Sequence, residues 1–485
     1  MTKATSEKSS LELSPKKWQG VKPIPLALTF AVGLAIWFSP APETIPIKGW
    51  HLLAIFVATI VGIMSKLLPM GGVAFLSLAV AALTGTLTIK EALSGFGEDV
   101  IWLIVIAFFI ARSFIKTKLG LRIAYYFLKV FGASTLGIAY ALVGCECLLA
   151  PFIPSMTARL GGILYPIIQS ITLSFDSHPH TPSAKKMGSF LTLVAFQSNA
   201  ITAAMFLTAM AGNPLIVKLA EGMGITISWG TWAAAAVVPG ILSLIIIPYI
   251  IYKVSPPQIK VTPNAKKEAK KSLAALGPIS FHEQIMVGTL VFLILFWIMG
   301  PGIGISSTTT AFVGLSILLV TGVLQWSDIV NEKGAWETFA WFSVLLALAS
   351  FLKTLGVIDY FSQLTVSNIH GLSWPVAFFA LNVIYFFSHY FFASNTAHIG
   401  AMYAAFLSVA IILGAPPLLS ALSLAFVSNL FGCLTHYATG PAPVLYGAGY
   451  VKMREWWLVG LLVGIINIVI WLGVGSLWWK LIGIW

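Results

Sequence analysis

Pro154-Ser155-Met156-Thr157-Ala158-Arg159 and Ala393-Ser394-Asn395-Thr396-Ala397-His398 are polar interruptions of apolar sequence, one in each half of a 485-residue chain. Backbone breaks are costly in lipid, where no water satisfies the freed amides and carbonyls. They persist where they line a cavity, and matching breaks in two halves are the best sequence pointer to a transporter's substrate site. The composition puts these breaks in a membrane. The chain is 58% hydrophobic and 9% charged, with mean hydropathy +0.93, against about 25% charged for a soluble domain. An all-α polytopic membrane protein follows.

The formal charge of +12 would suit a nucleic-acid partner if the basic residues formed a surface stripe. They collect instead in a few polar loops, as membrane orientation demands, so no nucleic acid is expected and the lipid bilayer is the surrounding partner. Cys145, Cys147 and Cys433 lie in apolar stretches without ligand spacing, which predicts neither a disulfide framework nor a metal site. No cofactor is expected. The segment through Lys22 is polar and holds Glu7 and Glu12. No cleavage site follows the first apolar run, so it reads as a cytoplasmic tail rather than a secretory or transit signal. A bacterial inner membrane is the expected location.

A spanning helix needs about 20 apolar residues. Eleven stretches qualify as crossings: 26–38, 51–68, 71–87, 101–114, 188–211, 229–252, 284–299, 305–324, 339–355, 417–437 and 456–478. The stretches 132–171 and 374–413 are long, apolar and broken near the middle, and read as re-entrant hairpins. With a cytoplasmic N-terminus, this count puts Lys116, Lys118, Arg122, Lys185, Lys186, the lysines of 260–271, Lys333, Lys452 and Arg454 inside. Few Lys or Arg fall outside, as the positive-inside rule requires.

The expected organisation is a tail over 1–23, a first helix and loop over 24–50, a first repeat over 51–253, a linker over 254–283 and a second repeat over 284–485. The linker region is rich in Lys and Pro, including Pro256, Pro257 and Pro263. Counted from the second crossing, five crossings precede it and five follow, and an odd number in each half forces the halves into opposite orientations. Short matches support the division: Ser113-Phe-Ile-Lys-Thr117 with Ser350-Phe-Leu-Lys-Thr354, and Leu207-Thr-Ala-Met-Ala211 with Leu434-Thr-His-Tyr-Ala438. Together with the tips, their offsets are 237, 239 and 227 residues. Three matches in one order at similar offset predict an inverted repeat.

Serine, threonine and asparagine cap helix N-termini because their oxygens accept from orphan amides. The chain turns apolar again after Ser155 and after Ser394, so each tip should present a helix N-terminus, the positive end of the dipole. Two such ends meeting at the midplane suit a small dianion. Opposite them, Thr208 through Asn213 and Pro214, and Thr435 through Thr439, Gly440 and Pro441, place Thr, Gly and Pro inside apolar helices. Proline frees carbonyls and glycine permits close approach, which predicts unwound segments facing the cavity. The bland alternative is a pair of ordinary proline kinks.

The tips, partner motifs and inverted halves resemble the divalent anion/sodium symporter family of dicarboxylate and citrate carriers, over nearly the whole chain from Pro25. Pro154 to Arg159 and Met205 to Pro214 are most similar to plastid 2-oxoglutarate/malate translocators and their bacterial relatives. The resemblance implies a homodimer, scaffold and transport regions with elevator-like movement, and substrate residues Ser155-Met156-Thr157 and Ser394-Asn395-Thr396. Met156 departs from the family's asparagine, leaving one half-site short of an amide. Sodium-coupled members hold a cation behind each tip. Here Arg159 and His398 follow their serines by four residues, where a tethered cation would replace the ion. The expectation is sodium-independent exchange of dicarboxylates such as 2-oxoglutarate, malate and succinate. Sodium-driven symport and citrate- or tartrate-for-succinate exchange are the alternatives.

Two plainer readings stand beside this. Arg159 can pair with Glu146 on the other hairpin arm, with or without a transport role. His398 can be a neutral structural histidine, and His389 and His436 are equally ambiguous. Arg112 reads as a snorkelling or paired cation, and Phe196-Gln197-Ser198-Asn199-Ala200 as polar lining of its span. The tryptophans near the C-terminus read as an aromatic belt. No intramembrane nucleophile, paired aspartates or His-Glu-x-x-His motif appears, so no catalytic residue is expected and an enzyme is disfavoured. A channel would not need twin capped hairpins.

Overall fold

The computed structural model describes residues 20–367 and 373–485. Most of the expected tail, including Glu7 and Glu12, lies outside the described residues. The helices are α1 Pro23–Trp37, α2 Ile47–Met64, α3 Met70–Leu83, α4 Ile89–Ala92, α5 Asp99–Thr117, α6 Leu119–Phe131, α7 Thr135–Leu149, α8 Tyr165–Ser174, α9 Gly188–Met205, α10 Gly212–Glu221, α11 Trp229–Val254 and α12 Pro263–Leu276. They continue with α13 Phe281–Met299, α14 Ser307–Val320, α15 Trp326–Val330, α16 Lys333–Thr354, α17 Val357–Ser367, α18 Trp374–Ser388, α19 Asn395–His398, α20 Ala404–Ile412, α21 Pro417–Leu430, α22 Pro441–Gly447, α23 Met453–Ile468 and α24 Gly475–Leu481. Among the described residues there is no strand, only an isolated bridge between Ser134 and Val261.

Nine described helical segments are long and apolar enough to cross a membrane. Three of them, Thr135–Phe152, Trp374–Phe391 and Asn395–Ile412, are arms of the two expected hairpins. Each of the eleven expected crossings overlies a helix, four of them on shorter apolar helices. The stretches 188–211 and 417–437 are not continuous: α9 stops at Met205 and α21 at Leu430. Both restart after a polar break, as α10 and α22.

The element order of the first half recurs in the second. A short helix closed by a reciprocal cap leads into a long helix, then an amphipathic helix, a hairpin, a broken helix and a long terminal helix. The reciprocal caps are Thr88 with Glu91 and Gln325 with Asp328, each satisfying two orphan amides. The turn before each uses a glycine in the left-handed region, Gly85 and Gly322. Sequence reading passed over three helices. α6 and α17 were hidden because only one face is apolar, and α12 lies within the segment read as a linker. That segment packs as a strap: α12 lies on α6, Thr135 N–H donates to Lys260 O at 3.1 Å, and Ile259 N–H to Lys186 O at 2.9 Å.

Arg122 on α6 anchors this region. Its guanidinium donates to Glu283 at 2.6 Å and to the carbonyls of Leu276, Gly277 and Pro278, so the base of the first hairpin is tied to α13. The broken helices cross at the centre. Asn429 donates to Asn213 Oδ1 at 2.7 Å and Gln197 Nε2 to the Cys433 carbonyl at 3.2 Å.

Candidate substrate site

Pro151 and Pro154 end the first hairpin arm by removing amides its helix would need. The chain is extended at Ile153 and restarts at Ser155, whose Oγ accepts from Ala158 N–H at 3.1 Å. In the second hairpin Ser394 Oγ accepts from Ala397 N–H at 3.4 Å. Both tips therefore carry the serine cap that the sequence predicts, and each runs into a π-helical turn, at Ala158–Leu164 and Ile399–Tyr403. Such turns cluster at functional sites.

The tips face each other across a cavity of about 150 Å³. Ser155, Met156 and Thr157 line one side, and Ser394, Asn395 and Thr396 the other. Thr439, Gly440 and Pro441 close it from the second broken helix, and Phe108, Met210 and Ala211 complete the wall. A Cβ on Gly440 would stand 2.5 Å from Thr157 Oγ1, so the first tip packs against the second half's break. The converse contact is Gly212, whose added Cβ would sit 2.8 Å from Ile399 Cδ1. The tips are thus interlocked with the opposite breaks. Met210 and Ala211 fall within the stretch from Thr208 to Asn213 expected to face the cavity, whereas Phe108 carried no sequence signal, because an apolar wall residue looks like any other core residue.

Four expected residues are not among those lining this cavity, and two of them, Thr208 and Asn213, hold the first break. Thr208 Oγ1 donates to Pro151 O at 2.5 Å and accepts from Trp229 Nε1 at 3.2 Å, joining the first break to the first tip. Asn213 Nδ2 donates to the carbonyls of Ala203 and Phe206 freed by the break. Pro214 is buried in α10. Thr435 is fully buried, and its hydroxyl has no partner among the described residues.

Behind the first tip, Arg159 is fully buried and its Nε donates to Glu146 Oε1 at 2.7 Å. Asn199 Nδ2 and Thr202 Oγ1 donate to the same carboxylate oxygen, at 2.5 and 3.2 Å. Arg159 Nη1 donates to Ile153 O in the tip and to Ala209 O in the break, the latter at 2.6 Å. The pairing with Glu146 is present, and the guanidinium also occupies tip and break carbonyls. In the polar run read as lining of its span, Asn199 joins this network and Gln197 the helix crossing, while Ser198 Oγ has no partner among the described residues.

Behind the second tip, His398 stacks between Phe392 and Phe431, with centroids 4.3 and 4.6 Å away. Its Nδ1 lies 3.0 Å from His389 Nδ1 and its Nε2 3.1 Å from Ser388 Oγ. His389 Nε2 donates to Ala438 O at 3.1 Å in the second break. His436 accepts from Trp457 Nε1 at 3.1 Å and lies outside this group. No group of His, Cys, Asp and Glu that could hold a metal is found among the described residues.

Two polar atoms at the cavity lack a protein partner among the described residues, Asn395 Oδ1 and Thr439 Oγ1. A hydrogen bond to a charged group contributes about 1.5–3 kcal/mol. Of the two, only the Thr439 hydroxyl can donate to a carboxylate, since Asn395 Oδ1 is itself an acceptor and Asn395 Nδ2 donates to Ser428 O. Thr439→Val is therefore expected to weaken substrate affinity about tenfold to a hundredfold, read by isothermal titration or as KM. A shift below about twofold would remove Thr439 from the site.

An all-helical membrane protein with twin capped hairpins interlocked at one polar cavity is a carrier, not an enzyme. The chain belongs to the family described as the sodium:sulfate symporter transmembrane region, whose model matches residues 21–485. YflS of Bacillus subtilis, whose name assigns it to malate transport, is 54% identical over 470 residues, covering 97% of this chain and 98% of that protein. Dicarboxylate transporter 1 of Arabidopsis thaliana chloroplasts is 49% identical over 475 residues, covering 97% of this chain and 85% of that one. The crystal structure of the Alcanivorax borkumensis YdaH transporter superposes with a TM-score of 0.56 at 12% identity, over 90% of this chain and 99% of that chain. That likeness speaks for the fold.

Proposed function

We propose that this chain exchanges small dicarboxylates across a bacterial inner membrane without sodium. The observation that carries the reading is Arg159, which bonds to tip and break carbonyls at once while neutralised by Glu146. Those carbonyls are what a released cation would need to hold. A tethered guanidinium assembles the tip permanently and cannot be driven by an ion gradient. Because Glu146 cancels its charge, attraction of the dianion falls to the two helix N-termini.

Exchange, rather than net flux, follows from the empty site. Crossing unloaded would carry the free tip amides and the Thr439 hydroxyl unsatisfied through apolar surroundings, at several kcal/mol in total. A bound diacid satisfies them. Two capped N-termini favour an acid with a carboxylate at each end, such as 2-oxoglutarate, malate or succinate, and the names of the relatives support that class. Met156 makes the first half-site less polar, so the two ends of the acid meet different surroundings.

The recurring element order supports an inverted repeat, and the interlocked tips and breaks support a transport region that moves as one body against α2, α3, α5 and α13 to α16. A homodimer and a cytoplasmic N-terminus complete the proposal, the second supported by the basic loops. Reconstituted vesicles preloaded with succinate and held in sodium-free buffer should take up labelled diacid, and empty vesicles should not. Uptake into empty vesicles driven by a sodium gradient would favour symport instead.

A further inference from the structure

A second cavity, of about 440 Å³, adjoins the substrate site. Its walls are the turn between α2 and α3, the start of α16 and the flank of the second tip, with Lys66, Glu337, Ala393 and Ser394 among the lining. Ser394 lines both cavities, so the two adjoin at the second tip. Lys66 is exposed and makes no ion pair among the described residues, and neither does Glu337.

The backbone under Lys66 is unusual. It lies in the left-handed region at φ +54, closing α2 with bonds from Lys66 N–H to Ile63 O at 3.1 Å and Leu67 N–H to Gly62 O at 3.0 Å. The second half closes α13 the same way, with Gly304 N–H on Pro301 O and Ile305 N–H on Gly300 O. There the left-handed residue is Gly304, at φ +77, the choice without a Cβ penalty. The first half keeps a strained lysine where glycine would serve, and strain retained beside a site points to function. A positive charge needed only for membrane orientation is the competing account. Lys118 fits it, with the same backbone at φ +62 but away from both cavities, beside Arg122 and Glu283.

We propose that Lys66 forms an outer anion subsite, which captures one carboxylate of a small dianion and hands it to Ser394 and Asn395. Glu337 opposes it across the cavity and keeps the capture weak enough for onward passage. The proposal rests on the reading that the tips hold the substrate.

The test is initial exchange of labelled succinate, presented from the side on which the α2–α3 turn lies, at low and high ionic strength. Lys66→Gly and Lys66→Gln should raise KM about threefold to tenfold at low salt, with kcat within about twofold, and the difference should shrink at high salt. Lys66→Arg should keep the wild-type KM, and Glu337→Gln should lower it. Lys66→Gly should also raise Tm by roughly 1–2 °C, because it relieves the left-handed strain. Lys118→Gly should stabilise likewise while leaving KM unchanged. An unchanged low-salt KM in both Lys66→Gly and Lys66→Gln, or an equal rise in Lys118→Gly, would overturn the subsite. If Thr439→Val binds succinate normally, the reading of the cavity between the tips as the substrate site fails instead, whatever Lys66 does.

Discussion

Glu146→Gln should cost about 3–5 kcal/mol of stability and abolish exchange, because it leaves Arg159 charged and fully buried with no counter-ion. Arg159→Met should do the same from the other side, stranding a carboxylate that only Asn199 and Thr202 then approach. Thermal unfolding in detergent reads the first effect, and counterflow in vesicles the second. The informative protein is the double variant, Glu146→Leu with Arg159→Met. Replacing a buried ion pair by apolar side chains is often neutral for stability, so Tm should largely return. Exchange should not return, since Ile153 and Ala209 lose the donor that fixes tip to break. A double variant that exchanges normally would show that the pair is only structural.

Gly460→Ala should lower exchange at least tenfold in a protein that still folds. Gly460 lies on α23, outside the cavity, and its missing side chain lets the second break pass close by. An added Cβ would stand 2.6 Å from both the Cys433 and the Leu434 carbonyls. These are backbone atoms that cannot swing aside, so the helix or the break must shift. Overpacking of this kind costs about 1–3 kcal/mol, and the displaced segment leads directly to Thr439 and Gly440. Gly447→Ala, with open space around its added Cβ, is the control and should be silent. Equal behaviour of the two variants in counterflow would show that the break tolerates movement.

Much of this architecture was legible because a membrane restricts what a chain can do. Apolar runs have to be helices, and polar breaks within them need a reason. Ser155 and Ser394 were readable as caps because capping is local, set within three residues. The cavity that joins Met156 and Thr157 to Asn395 and Gly440 was legible only as a juxtaposition of motifs. Thr208, Asn213, Pro214 and Thr435 carried the same signal as Thr439 but do not line the cavity, and Thr208 and Asn213 serve the break instead, because residue type does not say which way a side chain points. The helices α6, α12 and α17 were missed because interfacial helices lack a continuous apolar run. The pairing of His398 with His389 was beyond reach, since it depends on how a tip folds back on its own arm.

By itself the sequence determined the solvent, the helical class, the two hairpins and the residues that cap them. Each of these follows from local composition and from the cost of unsatisfied backbone in lipid. Tertiary structure alone decided which half each tip packs against, that Arg159 also reaches the Ala209 carbonyl of the break, and that Lys66 and Ser394 line one cavity. Those are contacts between segments far apart in the chain, fixed by packing and by the need to pair every buried charge, and no local pattern records them.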